Sequence, residues 1–469
     1  MHALIIKYLY RLRASYWFVP AVMVVGAIAL SIVTLWMDRT FGDAWLEHVP
    51  FLDANTPESA RSVLAAIAGS MITVAGVTFS MTILSVSFAA AQFGPRLIGN
   101  FMRDRGNQVT LGTFIAAYVY CLMVIRSVRG AQELATSAGA AGAFQAFVPQ
   151  ISVLCGIALA LSSVSVLIYF IHHVPETIDV SNISKSVGRE LESSITTLFP
   201  EPIGATPEER ERDRVERPAL CKEEPHEVAT AASGYLQAVD GDGLLELATE
   251  RDLIVRLQYR PGDFATDSDL LLHVWPKDAV DDELESQLRA CFAWGGERTP
   301  TQNTLFLVDQ LVEIVARALS PGVNDPFTAI ACLQWLERSL ITLGERRTPG
   351  PFRYDDDGAL RVISHAVPYS AFCERVFGQT RQYVAADRNA SLATMQMLAS
   401  LVLAQSDQDR RTVLLGHVDS LAEASQALLP LESDRELVRG RAERIHQMAR
   451  DPDVVYEVRE DEGWFGGSA

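Results

Sequence analysis

Apolar and polar positions divide the chain into two regimes. In the first, four nearly unbroken apolar runs cover about 17–37, 63–93, 109–125 and 147–171. Each reaches or approaches the ~20 residues that a helix needs to cross the hydrocarbon core of a bilayer. The first run is apolar apart from Ser31 and Thr34 and ends in Trp36-Met37-Asp38-Arg39. It exceeds the roughly 7–15-residue core of a signal peptide, so it predicts an uncleaved anchor. After residue 173 the apolar positions recur at helical or strand periods instead. Residues 174–232 predict an amphipathic helix continuing the fourth span, with Ile178, Ile183, Val187, Leu191 and Ile195 on its apolar face, and then a charged linker. Residues 233–278 predict a small β-rich module, with strands at 234–239, 253–257 and 270–275 and a short helix at 244–249. Residues 279–450 predict a helical domain. It holds a helix over 303–319, a strand at 360–363 and helices near 369–386, 390–404, 408–429 and 433–449. Residues 451–469 read as a flexible acidic tail. The fold class expected is mainly α: four transmembrane helices, then a cytoplasmic α+β domain with a small β-module and a helical bundle.

The second run is too long for its task. A helix over 63–93 measures about 46 Å against ~30 Å of hydrocarbon, so it must tilt, kink or project. Along one side it carries Gly69, Thr73, Gly76, Ser80, Ile83, Ser87, Ala90 and Gly94, spaced alternately by four and three. Only Ile83 is bulky. Small residues in this register let helix backbones approach closely in lipid. The stripe predicts either tight packing within one subunit or, through Gly69, Thr73, Gly76, Ser80 and Ser87, a pore or oligomer axis. No Asp, Glu, Lys or Arg lies in the middle of any run, which argues against ion-coupled transport. The fourth run ends in His172-His173-Val174-Pro175-Glu176. His172, His173 and Glu176 are candidates for pH or ligand sensing, with interfacial histidines at the headgroups as the plainer alternative.

Charge sets the orientation. Residues 1–173 carry a net +3 and the remainder −21. Lys7, Arg11 and Arg13 precede the first run, and Arg96, Arg103 and Arg105 lie between the second and third. Asp38, Asp43, Glu47, Asp53 and Glu58 fill the loop between the first two. The positive-inside rule therefore predicts a cytoplasmic N-terminus and, after four spans, a cytoplasmic C-terminal domain. Arg126 and Arg129 oppose this but are outnumbered. So acidic a domain is not expected to bind nucleic acid. The six cysteines form no Cys-x-x-Cys and read as isolated reduced thiols. No metal site or cofactor is expected.

The densest polar chemistry falls at 296–330. A helix over 303–319 places Asp309, Glu313 and Arg317 at steps of four. The following Ser320-Pro321-Gly322-Val323-Asn324-Asp325-Pro326 predicts a helix–turn–helix corner. There Gly322 takes the left-handed conformation, Asp325 caps and Pro326 opens the next helix. Beside that structural reading stands a candidate polar pocket of Arg298, Gln302, Asp309, Asn324 and Asp325. The chain has no Gly-x-Ser-x-Gly, no phosphate-binding Gly-rich loop with Lys and no His-Glu-x-x-His, so an enzyme is not expected.

Several stretches resemble a large bacterial family of predicted membrane proteins catalogued as domain of unknown function 2254. They are the run Gly296 to Gln302, the run Arg317 to Ala329, Phe79-Ser80, Gln92 to Arg96, His172-His173 and Ser233-Gly234-Tyr235. The resemblance covers roughly residues 10–430. It implies a bacterial inner-membrane location with several N-terminal spans, and no particular activity. The function expected is an oligomeric channel or channel-like protein, a homo-oligomer in the lipid bilayer with a cytoplasmic regulatory domain. The alternative is a membrane-anchored sensory or scaffold protein binding a partner or small ligand.

Overall fold

The structure is a computed structural model and describes residues 15–41, 56–94, 104–129, 147–199 and 223–451, with residues 454, 455 and 464. Lys7, Arg11, Arg13, Arg96, Arg103, most of the charged linker and nearly all of the expected tail lie outside these residues. The chain divides after Asp179 into two compact units.

The membrane unit holds four helices: α1 (Phe18–Phe41), α2 (Pro57–Phe93), α3 (Arg105–Ile125) and α4 (Gln150–Ile178). All four are long and apolar enough to cross a bilayer. Capping chemistry sets two of their starts. Thr56 accepts the Ser59 N–H (3.2 Å) with Pro57 in the first turn, so α2 begins six residues before its apolar run. Asp104 accepts the Asn107 N–H (2.8 Å) at the start of α3. Helix α4 continues through Pro175 and stops at Asp179, whose backbone is extended (φ −62°, ψ 123°). The amphipathic helix expected to continue the fourth span is therefore a separate element.

Helix α3 is the hub, packed against all three others. Glycine permits its closest approach. A Cβ on Gly112 would lie 2.5 Å from the Met23 sulfur and 3.2 Å from the Pro20 Cα of α1. Leu64, Ala68, Tyr120, Val124 and Val153 form one core cluster, and Met71, Ala75, Phe114 and Ala117 another.

The C-terminal unit opens with α5 (Val180–Leu198), which buries Ile183, Val187, Leu191 and Ile195. It continues with β1 (His226–Ala229), β2 (Gly234–Val239), α6 (Gly241–Glu250), β3 (Ile254–Leu257), β4 (Phe264–Ala265), β5 (Leu270–Trp275), α7 (Asp282–Ala290) and β6 (Phe292–Gly295). Next come α8 (Thr304–Ala318), α9 (Pro326–Gly344), β7 (Phe352–Tyr354), β8 (Leu360–Ile363), α10 (Tyr369–Cys373) and α11 (Gln379–Val384). The chain then forms α12 (Arg388–Ala404), α13 (Gln408–Leu428) and α14 (Glu432–Arg450).

One sheet has the order β1-β5-β3-β8-β7, antiparallel except for the parallel pair β3–β8. A second, β4-β2-β6, is antiparallel. Strands β2, β3, β4 and β5 lie within the 233–278 segment, and β1, β6, β7 and β8 join them from outside it. Leu244 and Ala248 of α6 and Leu284 and Leu288 of α7 pack with Val255, Leu272 and Val274 into one core. Helices α5, α8 and α9 pack together, and α12, α13 and α14 form a further layer.

The α8–α9 corner differs in one detail from its sequence reading. Asn324, not Gly322, takes the left-handed conformation (φ 51°). Its N–H donates to Ser320 O (2.9 Å), and the Asp325 N–H donates to Ala318 O (2.7 Å), closing the end of α8. Asp325 caps α9 as expected, accepting the Thr328 N–H (3.1 Å) and the Thr328 hydroxyl (2.6 Å).

Candidate functional site

Gly69, Thr73, Gly76, Ser80 and Ser87 all lie on exposed surface of α2. A Cβ on Gly69 or Gly76 would meet nothing within 4 Å. The helix buries another side, through Leu64, Ala68, Met71, Ala75, Thr78, Thr82 and Val86. That side lies about 140° round the helix from the stripe at ~3.6 residues per turn. The described helices therefore do not use these five positions for packing, and exposed Phe79, Leu84 and Phe88 flank them. Thr73 turns its hydroxyl back to Gly69 O (2.8 Å).

The histidine cluster is brought together only in part. His173 Nε2 meets Asp104 Oδ1 at 2.8 Å, while the same carboxylate caps α3. The His173 ring stacks on Tyr169 (centroids 4.9 Å apart, planes at 19°). His172 faces another way, as adjacent helical residues must, and its Nδ1 meets only its own helix at Ile168 O (3.2 Å). Glu176 is exposed. At the far end of α1, buried Asp38 accepts the Ile151 N–H (2.7 Å), the Ser152 N–H (3.0 Å) and the Ser152 hydroxyl (2.6 Å). A carboxylate from one span thus caps another, where the helix dipole favours it. Tyr120 extends this network by donating to Ser152 O (3.1 Å) and meeting Thr34 Oγ1 (2.9 Å).

A further site lies within the C-terminal unit, a cavity of about 630 Å³. Its polar end is built by three devices. Gln302, itself in the left-handed region (φ 54°), clasps the end of β2: its Oε1 accepts the Val239 N–H (2.9 Å) and its Nε2 donates to Val239 O (3.0 Å). Asn303 caps α8 by accepting the Phe306 N–H (3.1 Å), so the first turn of α8 opens on the cavity. A π-helical turn, Glu374–Gly378, interrupts the helical stretch between α10 and α11 and carries Arg375 to the cavity wall.

Asp309 of α8, only 4% exposed, sits between two guanidinium groups. Arg298 Nη1 donates to its Oδ2 (3.2 Å), and Arg375 Nη1 to its Oδ1 (3.2 Å). Arg298 also lies over the Tyr235 ring, 5.4 Å from its centroid, and its Nε is buried without a hydrogen-bond partner. Apolar lining comes from Phe199, Leu244, Leu257, Val362 and Phe372. Arg260, paired with Asp263 (3.7 Å), also lines the cavity, as do the exposed Asp242 and Arg353.

Of the five pocket residues expected from sequence, Arg298, Gln302 and Asp309 line this cavity. Asn324 and Asp325 do not, because the corner uses them to end α8 and start α9. Glu313 and Arg317 pair with each other (3.3 Å) outside it. Arg375 went unforeseen. It stands 66 residues from Asp309, and no local pattern marks the π-helical turn. Cys291, Cys332 and Cys373 are free, buried thiols, pushed up by burial to about 11, 12 and 12, and so are protonated and unreactive at neutral pH.

Four apolar helices followed by a unit of small sheets and helices define a membrane protein that carries a large folded C-terminal unit. The chain belongs to the family described as predicted membrane protein (DUF2254), which it matches over residues 13–400. It is 31% identical over 408 residues to an uncharacterized protein of Mycobacterium tuberculosis, and equally to one of Mycobacterium bovis. Each match covers 85% of this chain and 74% of the relative. No solved structure matches the chain.

Proposed function

We propose that the protein is a membrane-anchored sensor that binds a small molecule in the cavity of its C-terminal unit. One observation carries this reading: a cavity of about 630 Å³ has an apolar wall and a polar end where two arginines share a buried carboxylate. Small-molecule sites have this volume and this mixture of lining groups. The role is binding rather than catalysis, since Asp309 is held between two cations instead of beside a nucleophile. In this reading the protein sits in the bacterial inner membrane, in keeping with its family, and the charge pattern supports a cytoplasmic N-terminus and C-terminal unit.

The test uses the detergent-purified full chain, exposed to the small-molecule fraction of a bacterial extract, washed and then denatured. Mass spectrometry should find a released compound that a Gly241→Trp variant does not retain. Gly241 lines the cavity and has open space around it, so the indole occludes the site. Equal profiles from the two proteins, or no retained compound, refute the sensor.

The stripe on α2 favours a second reading, an oligomeric channel-like protein in which several copies of α2 surround a path. Small residues and hydroxyls are left exposed there between bulky side chains. Reconstituted protein should then conduct ions, and Ser80→Leu should change the conductance. Silent bilayers under every voltage, tension and pH applied refute it.

A further inference from the structure

We infer that the cavity ligand is a small organic anion whose carboxylate or phosphate lies against Arg298 and Arg375 while its apolar body lies along Leu244, Leu257 and Val362. This rests on the sensor reading and gives its site a ligand chemistry.

The first argument is charge. In the cavity wall two partly exposed guanidinium groups share one buried carboxylate, leaving a local net positive charge. Over the whole lining four arginines face four aspartates, so the excess positive charge is local to the Arg298–Asp309–Arg375 group. Among the other lining carboxylates, Asp240 caps α6 through the Gly243 N–H (3.1 Å), Asp263 pairs with Arg260, and Asp242 is exposed, as is the lining Arg353.

The second argument is hydrogen bonding. Arg298 and Arg375 each reach Asp309 through Nη1, so the rest of each planar fork is not used on it. A carboxylate, or two oxygens of a phosphate, presents a pair of acceptors that a guanidinium fork can engage together.

The third argument is the surroundings. Thr304 and Leu305, the first two residues of α8, line the same cavity, so the positive end of the helix dipole is presented to it. The apolar wall and the volume exclude a bare inorganic ion as the full occupant.

The inference is tested by calorimetric titration of the full chain in detergent with three probes: phenyl phosphate, inorganic phosphate and benzamide. Phenyl phosphate should bind most tightly, inorganic phosphate should compete with it weakly, and benzamide should bind least. Arg298→Gln and Arg375→Gln should each weaken phenyl phosphate by about tenfold or more. Arg317→Gln, outside the cavity, should leave it unchanged, and Gly241→Trp should abolish it. The competition between the two phosphates needs only the natural protein, so the result stands even where an arginine variant fails to fold. If benzamide binds as tightly as phenyl phosphate and both are lost in Gly241→Trp, the anion inference fails while the cavity reading survives. If phenyl phosphate binds Gly241→Trp normally, it occupies another place and the inference is overturned. If no probe binds, both readings fall.

Discussion

At the scale of single residues, the C-terminal unit places titratable groups where their surroundings decide their charge. His417 on α13 lies against Phe377 (ring centroids 5.3 Å apart), and burial pushes its imidazole below the usual 6.5. Glu374 favours its charged form and Arg381 opposes it, but desolvation outweighs both. The unfolded chain therefore takes up this proton at higher pH than the native chain does. Stability falls as pH drops from about 6.5 through the lowered native value, and is fully retained above that range. The melting midpoint should decline on acidification across this window, and His417→Gln should decline less steeply. Equal slopes would show that His417 contributes nothing. The arginine pair on Asp309 shows what the chain conceals from a linear reading. Arg298 and Asp309 are 11 residues apart and share a recognisable segment, but Arg375 comes from an element whose π-helical turn has no signature in residue type.

At the scale of elements, steric fit decides which helices can meet. Gly188 of α5 lies under the Trp335 indole of α9: an added Cβ would sit 2.7 Å from the ring and 3.0 Å from the Trp335 Cβ. Gly440 of α14 has open space around the same position. Gly188→Val should therefore destabilise the protein by about 1–3 kcal/mol through overpacking. Gly440→Ala should leave stability level or raise it by up to ~1 kcal/mol through better helix propensity. Denaturant melts of the two variants check this, and equal effects would mean that the α5–α9 contact is not close-packed. Much at this scale was legible. The strands β2 and β5 have the bounds read from their apolar alternation, and α5 buries four of the five residues its periodicity named. The starts of α2 and α3 were misplaced because Thr56 and Asp104 begin helices in polar sequence that hydropathy discounts. The strands β1, β4, β6 and β7 were missed because each is only two to four residues long, and β1 and β6 are held by partners distant in the chain.

At the scale of the whole molecule, the sequence showed the division of labour more clearly than the purpose. Four apolar runs became four long helices because lipid leaves the backbone no other internal partner. The α2 stripe was legible as a pattern, but the side of α2 that would be buried was not, since several sides of a membrane helix are apolar. Orientation is testable directly. A reporter fused after Asp179 should be active in the cytoplasm, and a periplasmic signal would invert the proposed topology.

The parallel pairing of β3 with β8 has a consequence for biosynthesis. β3 leaves the ribosome about a hundred residues before β8 exists to cover its flank. At synthesis rates of ~5–20 residues per second, the nascent chain waits roughly 5–20 s with a bare strand edge. That edge is a template for wrong partners in any crowded cell. A chain cut short before Phe352 never closes it, so such fragments are candidates for aggregation and for chaperone capture rather than for use as an isolated domain.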